Sequence, residues 1–167
     1  ATGEGDVLPI ALGIESVSNT MHTNSRAIFS HFHGIRSWDT KFRDLGGQTA
    51  DHPFHCDHGA QHHLLDGGWL WMLRMNDDVT SVGLALDAGK HPMNPSISAE
   101  VEWKNWIERY PAVSEMFADA RLAQSPGRLI RTNRLQRRWK QAAGEDWALL
   151  PHTAGFVDAL HSTGMAH

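Results

Sequence analysis

The stretch WALLPHTAGFVDALHSTGMAH, residues 147–167, is the one whose reading decides the fold. Its apolar start, 147–150, has the length and composition of a short buried strand. A small-residue turn follows, Thr153-Ala154-Gly155, and then Phe156, Val157, Leu160 and Met165 begin a helix-like pattern with Ser162-Thr163-Gly164 inside it. Strand, tight turn and helix start form a unit suited to gripping an anionic group. The turn lets a ligand approach the backbone, and free N–H groups of a first helical turn point at negative charge.

Composition sets the outer bounds. A chain of 167 residues is one domain's worth and long enough to bury a core. A formal net charge of −4 argues against nucleic acid as the main partner. The single cysteine, Cys56, excludes an internal disulfide framework and fits a reducing, cytoplasmic compartment. No apolar run reaches membrane-spanning length, and no signal peptide is visible. The chain opens on Ala1 without a methionine and stops about a turn into its last predicted helix, which leads to the expectation of an internal piece of a longer protein.

Between the ends, the pattern reads as a sheet followed by helices. Residues 7–12 suit a short helix ending at Gly13. Residues 26–35 alternate, with Ile28, Ser30 and Phe32 on one side and Phe29, His31 and His33 on the other, which is strand period. Such a strand suits a sheet with one face toward a ligand cavity; a solvated face is the alternative. Residues 38–53 read as loop. Residues 61–65, a Gly67-Gly68 turn and residues 69–75 read as a hairpin, and a second turn at 76–78 leads to a strand at 79–86. Trp69 and Trp71 then share one face of a sheet, as packing residues or as the lining of a cavity. Pro95 or Ser96 starts one helix and Pro111 a second, with apolar stripes that suit covering the sheet. The six basic residues of 128–140 carry a single interleaved tryptophan, which is poor for nucleic acid. Returning strands suit this run better, although periodicity also allows a helix over 134–143.

The twelve histidines raise the question of metal. His52, His55, Cys56, Asp57, His58, His62 and His63 are all ligand types, but their spacing fits no standard zinc pattern, and neighbours such as His62 and His63 in a strand point to opposite faces. A polar loop feeding a strand is the simpler reading, and no metal ligand is assigned.

The C-terminal stretch resembles the last flavin-contacting segment of FAD-dependent halogenases and geranylgeranyl-reductase-like oxidoreductases, whose pattern is GDAAGFVDPL-x-STG. The match is AGFVD (154–158), Leu160 and STG (162–164). Pro151-His152 stands where the family has Gly-Asp, Ala159 where it has Pro, and His161 where the tryptophan halogenases have Glu. Further matches in order are Ala1-Thr2-Gly3 with Leu12-Gly13, the strand at 28–32, Trp69-x-Trp71 and TSVG (80–83).

This resemblance implies a two-domain flavoprotein using FAD on an organic small molecule, with a flavin reductase or NAD(P)H as electron source. Its GxGxxG nucleotide fold is absent from these residues. Thr2, Gly3, His152, Thr153, Ala154, Gly155 and Phe156 would approach the FAD, and Thr163 and Gly164 would hold halide. His161 would be either an acid–base group or part of the pocket wall, and Phe32, Trp69 and Trp71 would line the substrate pocket. A redox-inactive binding module of the same fold and a histidine-rich metal protein are the alternatives. The expected fold is α+β: an antiparallel or mixed substrate-domain sheet (26–35, 61–65, 69–75, 79–86) backed by helices of 96–121. Residues 1–19 would be the edge of a flavin domain, 20–133 the substrate domain, and 134–167 the return strands and flavin-contacting segment.

Overall fold

The alternation of 26–35 is realised as the longest pairing in the molecule. In the computed structural model, which describes residues 6–161, β1 (Ser25–His33) runs antiparallel to β4 (Val79–Asp87) in unbroken register from Ser25–Asp87 to His33–Val79. The meander expected from the turn signals is present: β2 (Gln61–Leu65), β3 (Gly68–Arg74) and β4 pair in sequence. Gly67 turns the first hairpin at φ +77°, a left-handed conformation natural to glycine. Asp77 and Asp78 turn the second at φ 59° and 57°, where a short polar side chain is tolerated. On the far side of β1 lie two short strands, β5 (Arg121–Leu122) and β6 (Ile130–Thr132), giving the order β2-β3-β4-β1-β5 with β6 also on β1.

One face of the sheet is covered. Ile28, Phe32, Leu70, Met72, Val82, Leu84 and Leu86 point toward Trp103, Trp106 and Ile107 of α3 (Ala99–Ile107) and Val113 and Met116 of α4 (Pro111–Met116). Ser98 caps α3 by accepting from the Val101 N–H at 3.2 Å, and Pro111 begins α4 where its missing N–H costs nothing. An internal ion pair ties helix to sheet: Arg26 Nη2 donates to Glu102 Oε1 at 2.5 Å, both side chains being almost wholly buried.

One local expectation is corrected. Residues 38–44, read as loop, form a helix, α2 (Trp38–Asp44). Its apolar periodicity is weak, and it is held from its N-terminal end instead. Ser37 Oγ accepts from Thr40 N–H, and Asp57 Oδ1 accepts from Trp38 N–H at 2.9 Å. Burial alone would raise the Asp57 carboxyl pKa; hydrogen bonds from Ser37, Gln61 and the Trp38 amide, with the Arg74 charge, outweigh that and hold it below the usual range. In 134–143 the preferred reading, a returning strand and not a helix, is what forms. Arg137–Arg138 is strand β7, and Gln136 fastens it to β1 by accepting from Ser25 N–H at 2.7 Å and donating to Ser25 Oγ at 2.6 Å.

The two ends of the described chain meet. Val17 N–H donates to Arg138 C=O, Lys140 N–H to Glu15 C=O and Trp139 N–H to Ala154 C=O, and β8 (Gly155–Phe156) pairs with β7. The short helix α1 (Val7–Ala11) precedes this assembly and ends before Gly13 at φ +65°, as read from the sequence.

Two predictions follow from this packing. Gly83 lies opposite Trp71, and a Cβ there would stand 2.2 Å from Trp71 Cζ2 and 2.5 Å from Phe29 Cβ. Gly83→Ala should therefore cost about 1–3 kcal/mol of stability, the usual range for overpacking, with a red-shifted tryptophan emission as the indole moves outward; chemical denaturation followed by fluorescence reads both. The second concerns His63, whose ring meets Trp38 edge-on at 4.5 Å and whose Nε2 is buried without a partner among the described residues. Burial, assisted by His62, pushes its pKa down from 6.5 to about 4. The unfolded chain takes up this proton near pH 6.5 and the folded chain only near 4, so stability is complete above pH 6.5 and declines as pH falls toward 4. At about 1.4 kcal/mol per pKa unit the loss is on the order of 3 kcal/mol, and His63→Leu should flatten this part of the stability–pH profile.

Candidate functional site

Among the described residues, the helices α3 and α4 cover only the first face of the sheet. By strand alternation the second face presents Phe29, His31 and His33 from β1, Trp69, Trp71 and Leu73 from β3, Ser81, Gly83 and Ala85 from β4, and His62 and Leu64 from β2. Trp69 and Trp71 are neighbours, with ring centroids 5.7 Å apart; Trp71 also meets Phe29 at 6.0 Å, and Trp69 meets His62 at 5.0 Å. Trp71 Nε1 lies 3.4 Å from Ser81 Oγ as donor. Gly83, with no side chain, lets the Trp71 indole pack directly against β4.

At the Trp69 end this face opens into a cleft of about 400 Å³. Its walls are the 22–25 segment entering β1, the Gly67-Gly68 hairpin, Trp69, Ala85 and Asp87, and its far side is closed by Asp158 of the C-terminal segment. The fold thus brings the aromatic strand and the C-terminal segment to one place. Phe32, expected in the same pocket, does not join them. It points through the opposite face, stacked on Trp103 at 5.4 Å and edge-on to Phe117 at 5.6 Å. Its place in the alternation of β1 makes it a core residue.

The C-terminal segment differs locally from its sequence reading. Residues 147–150 are not a strand: Ala148 makes one isolated bridge to Ala143, closing a tight loop. Pro151–Ala154, expected as the turn, is a single helical turn, α5, and Phe156 lies in β8 instead of starting a helix. The proline at the first helical position favours this. In consequence the amides of residues 153–155, expected to face the flavin, are spent. Thr153 and Ala154 N–H both donate to Leu150 C=O, and Gly155 N–H donates to Pro151 C=O. The smallness of Gly155 serves the β7 contact, since a Cβ there would lie 3.3 Å from Arg137 C=O. His152 is exposed, and its carbonyl accepts from Arg137 Nη2 at 2.7 Å. His161 lies exposed in a turn. The predicted positions Thr2, Gly3, Thr163 and Gly164 lie outside the described residues.

What the segment leaves unpaired is side chain. Thr153 Oγ1 and, on the adjoining strand, Trp139 Nε1 are both buried without a partner among the described residues. A buried hydroxyl and a buried indole N–H with no partner are costly alone and suit a ligand rich in hydroxyl and phosphate oxygens. Neither Trp139 nor Phe29 was singled out as a site residue from the sequence, because each enters the site through strand register, which composition does not reveal.

The histidine-rich run is spent differently. His55 Nε2 lies 3.4 Å from Asp39 Oδ2, His52 Nδ1 lies 3.3 Å from Cys56 Sγ, and His63 packs under Trp38. Burial and the adjacent Asp39 carboxylate push the Cys56 thiol pKa up, away from the thiolate that binds metal or attacks substrate. Among the described residues no three His, Cys, Asp or Glu side chains are arranged to hold a metal ion.

No family model matches the chain. Individual proteins do. Tetracycline 7-halogenase of Kitasatospora aureofaciens is 30% identical over 173 positions, which span all of this chain and 30% of that protein. Monodechloroaminopyrrolnitrin halogenase PrnC of Pseudomonas fluorescens is 32% identical over 149 positions, 86% of this chain and 25% of that protein. Among solved structures, a mutant of the halogenase PltM in complex with FAD superposes with a TM-score of 0.84 at 27% identity over 99% of this chain and 32% of that one. The chain spans about 30% or less of the length of these two curated relatives. In sequence and in fold alike, this chain is similar to part of these halogenases, one of them solved with FAD.

Proposed function

We propose that this chain forms the substrate side of an FAD-dependent, halogenase-like oxidoreductase acting on an organic small molecule. The observation that carries this reading is the aromatic face of the sheet, Trp69-x-Trp71 with Phe29, whose Trp69 end lines one cleft with Asp158 of the C-terminal segment. A cleft with apolar walls and a few polar groups is the usual form of a small-molecule site. Trp71 would hold a planar substrate against the sheet, and Ser81, Ser25 and Asp87 would orient its polar groups. Thr153 and Trp139 would hold the flavin through their unpaired hydroxyl and N–H, and Thr163 and Gly164 are the halide positions that the family pattern implies. His161 stands where an acid–base group would act. In the cytoplasm, a flavin reductase or NAD(P)H would supply electrons.

When bound, FAD supplies the redox chemistry; the protein's own part is to place the substrate and exclude water. Residues 14–20 and 137–156, which pair with one another, would form the flavin-facing layer, and 25–132 the substrate layer.

The protein carrying this chain together with a nucleotide-binding domain is the test object. It should retain flavin on purification. Thr153→Val should weaken flavin binding roughly tenfold, the scale of one hydrogen bond to a charged group. Trp71→Ala should lower kcat/KM by about tenfold or more with flavin content unchanged. Failure to retain flavin in the unaltered protein would overturn the proposal. Retention without reduction by any flavin reductase or NAD(P)H would favour the redox-inactive module, which His152 in place of the family's Asp already hints at chemically.

A further inference from the structure

A second cavity, of about 180 Å³, lies on the helix-covered side of the sheet, away from the cleft. One wall is a stripe of α3, Glu102, Asn105 and Trp106, spaced three and four apart so that they share a helix face, continued by Arg109 in the turn that follows. The facing wall is Arg26 of β1 and the 91–97 loop. Two arginines meet one carboxylate. Arg26 Nη2 and Arg131 Nη1 both donate to Glu102, the latter at 3.3 Å to Oε2, and Arg131 Nη1 also donates to the Ile97 carbonyl at 3.0 Å. Arg109 stacks on Trp106 at 4.4 Å. Of the charged residues lining the cavity, Glu102 offsets one of the two arginines, Arg26 and Arg109, so the walls carry a surplus of positive charge.

Arg26 supplies the second, independent sign. Its side chain is 3% exposed. Nε donates to the His91 carbonyl and Nη2 to Glu102, but Nη1 is buried with no acceptor among the described residues. A guanidinium nitrogen in this position calls for a partner, and an oxyanion is what its geometry fits. The volume exceeds what a single water occupies, about 30 Å³. The amide of Asn105 adds a neutral donor beside the charged ones.

The geometry points to a binding site for a small oxyanion, a carboxylate or phosphate group, held by Arg26 Nη1 and Arg109 with Asn105 at its rim. It is separated by the sheet from the aromatic cleft and does not depend on the flavin reading.

The test uses the full chain, with inorganic phosphate and acetate as separate probes and sodium chloride matching the ionic strength. Thermal unfolding and titration calorimetry should show saturable stabilisation with a Kd on the order of 1 mM. The probe with the lower Kd identifies the favoured head group. Arg109→Gln and Asn105→Ala alter surface-accessible positions and leave the Arg26–Glu102 pair intact; the first should weaken binding by about tenfold, the second by less. Stabilisation that fails to saturate, that chloride reproduces, or that survives unchanged in Arg109→Gln would overturn the site. So would a crystal structure grown in phosphate or acetate with only water beside Arg26 Nη1.

Discussion

The ladder between β1 and β4 is the constraint on which the rest depends. It joins the meander of β2–β4 to the returning strands β5 and β6, and it lies at the middle of the sheet, where residues 80–86 are buried without interruption. Because side chains alternate, this one register decides which residues see the helices and which see the cleft. A slip by one position would exchange Ile28 for Phe29 and Leu84 for Gly83, placing an aromatic under α3 and taking Gly83 from beneath Trp71. The Arg26–Glu102 pair reinforces the same register from the covered side by fixing α3 to a single residue of β1.

The parts of this fold legible in the sequence are those encoded by local pattern. The alternation of β1, the two glycine- and aspartate-bearing turns of the meander, and the proline-started helices each carry their own signal within a few residues. α2 escaped because its N-terminal support comes from Asp57, nearly twenty positions downstream, and a short helix stabilised from a distance leaves little periodic trace. The assignment of Phe32 to the pocket failed for a related reason. Alternation separates the two faces of a strand, but which of them is covered depends on where α3 and α4 pack.

The C-terminal segment shows the same division at a functional place. Its motif order identified the family, which rests on residue identity. Its predicted geometry was wrong in detail, because Pro151 favours a helical turn and the β7–β8 pairing claims Gly155 and Phe156. The consequence for chemistry is a change of contact type. Side chains of Thr153 and Trp139, not a row of backbone amides, are what this part of the described chain has left to offer a cofactor.

The pairing of residues 15–17 with 138–140 bears on how the chain is made. The early strand finds its neighbour only after more than a hundred further residues have been synthesised, so during translation its polar backbone waits in water while the sheet condenses behind it. Such sequence-distant closure slows assembly and lengthens the time for which unpaired edges are open to foreign strands. The layer built by these two segments is therefore the last to form, and a nascent chain stalled short of residue 140 would carry a finished sheet whose first segment still lacks its partner.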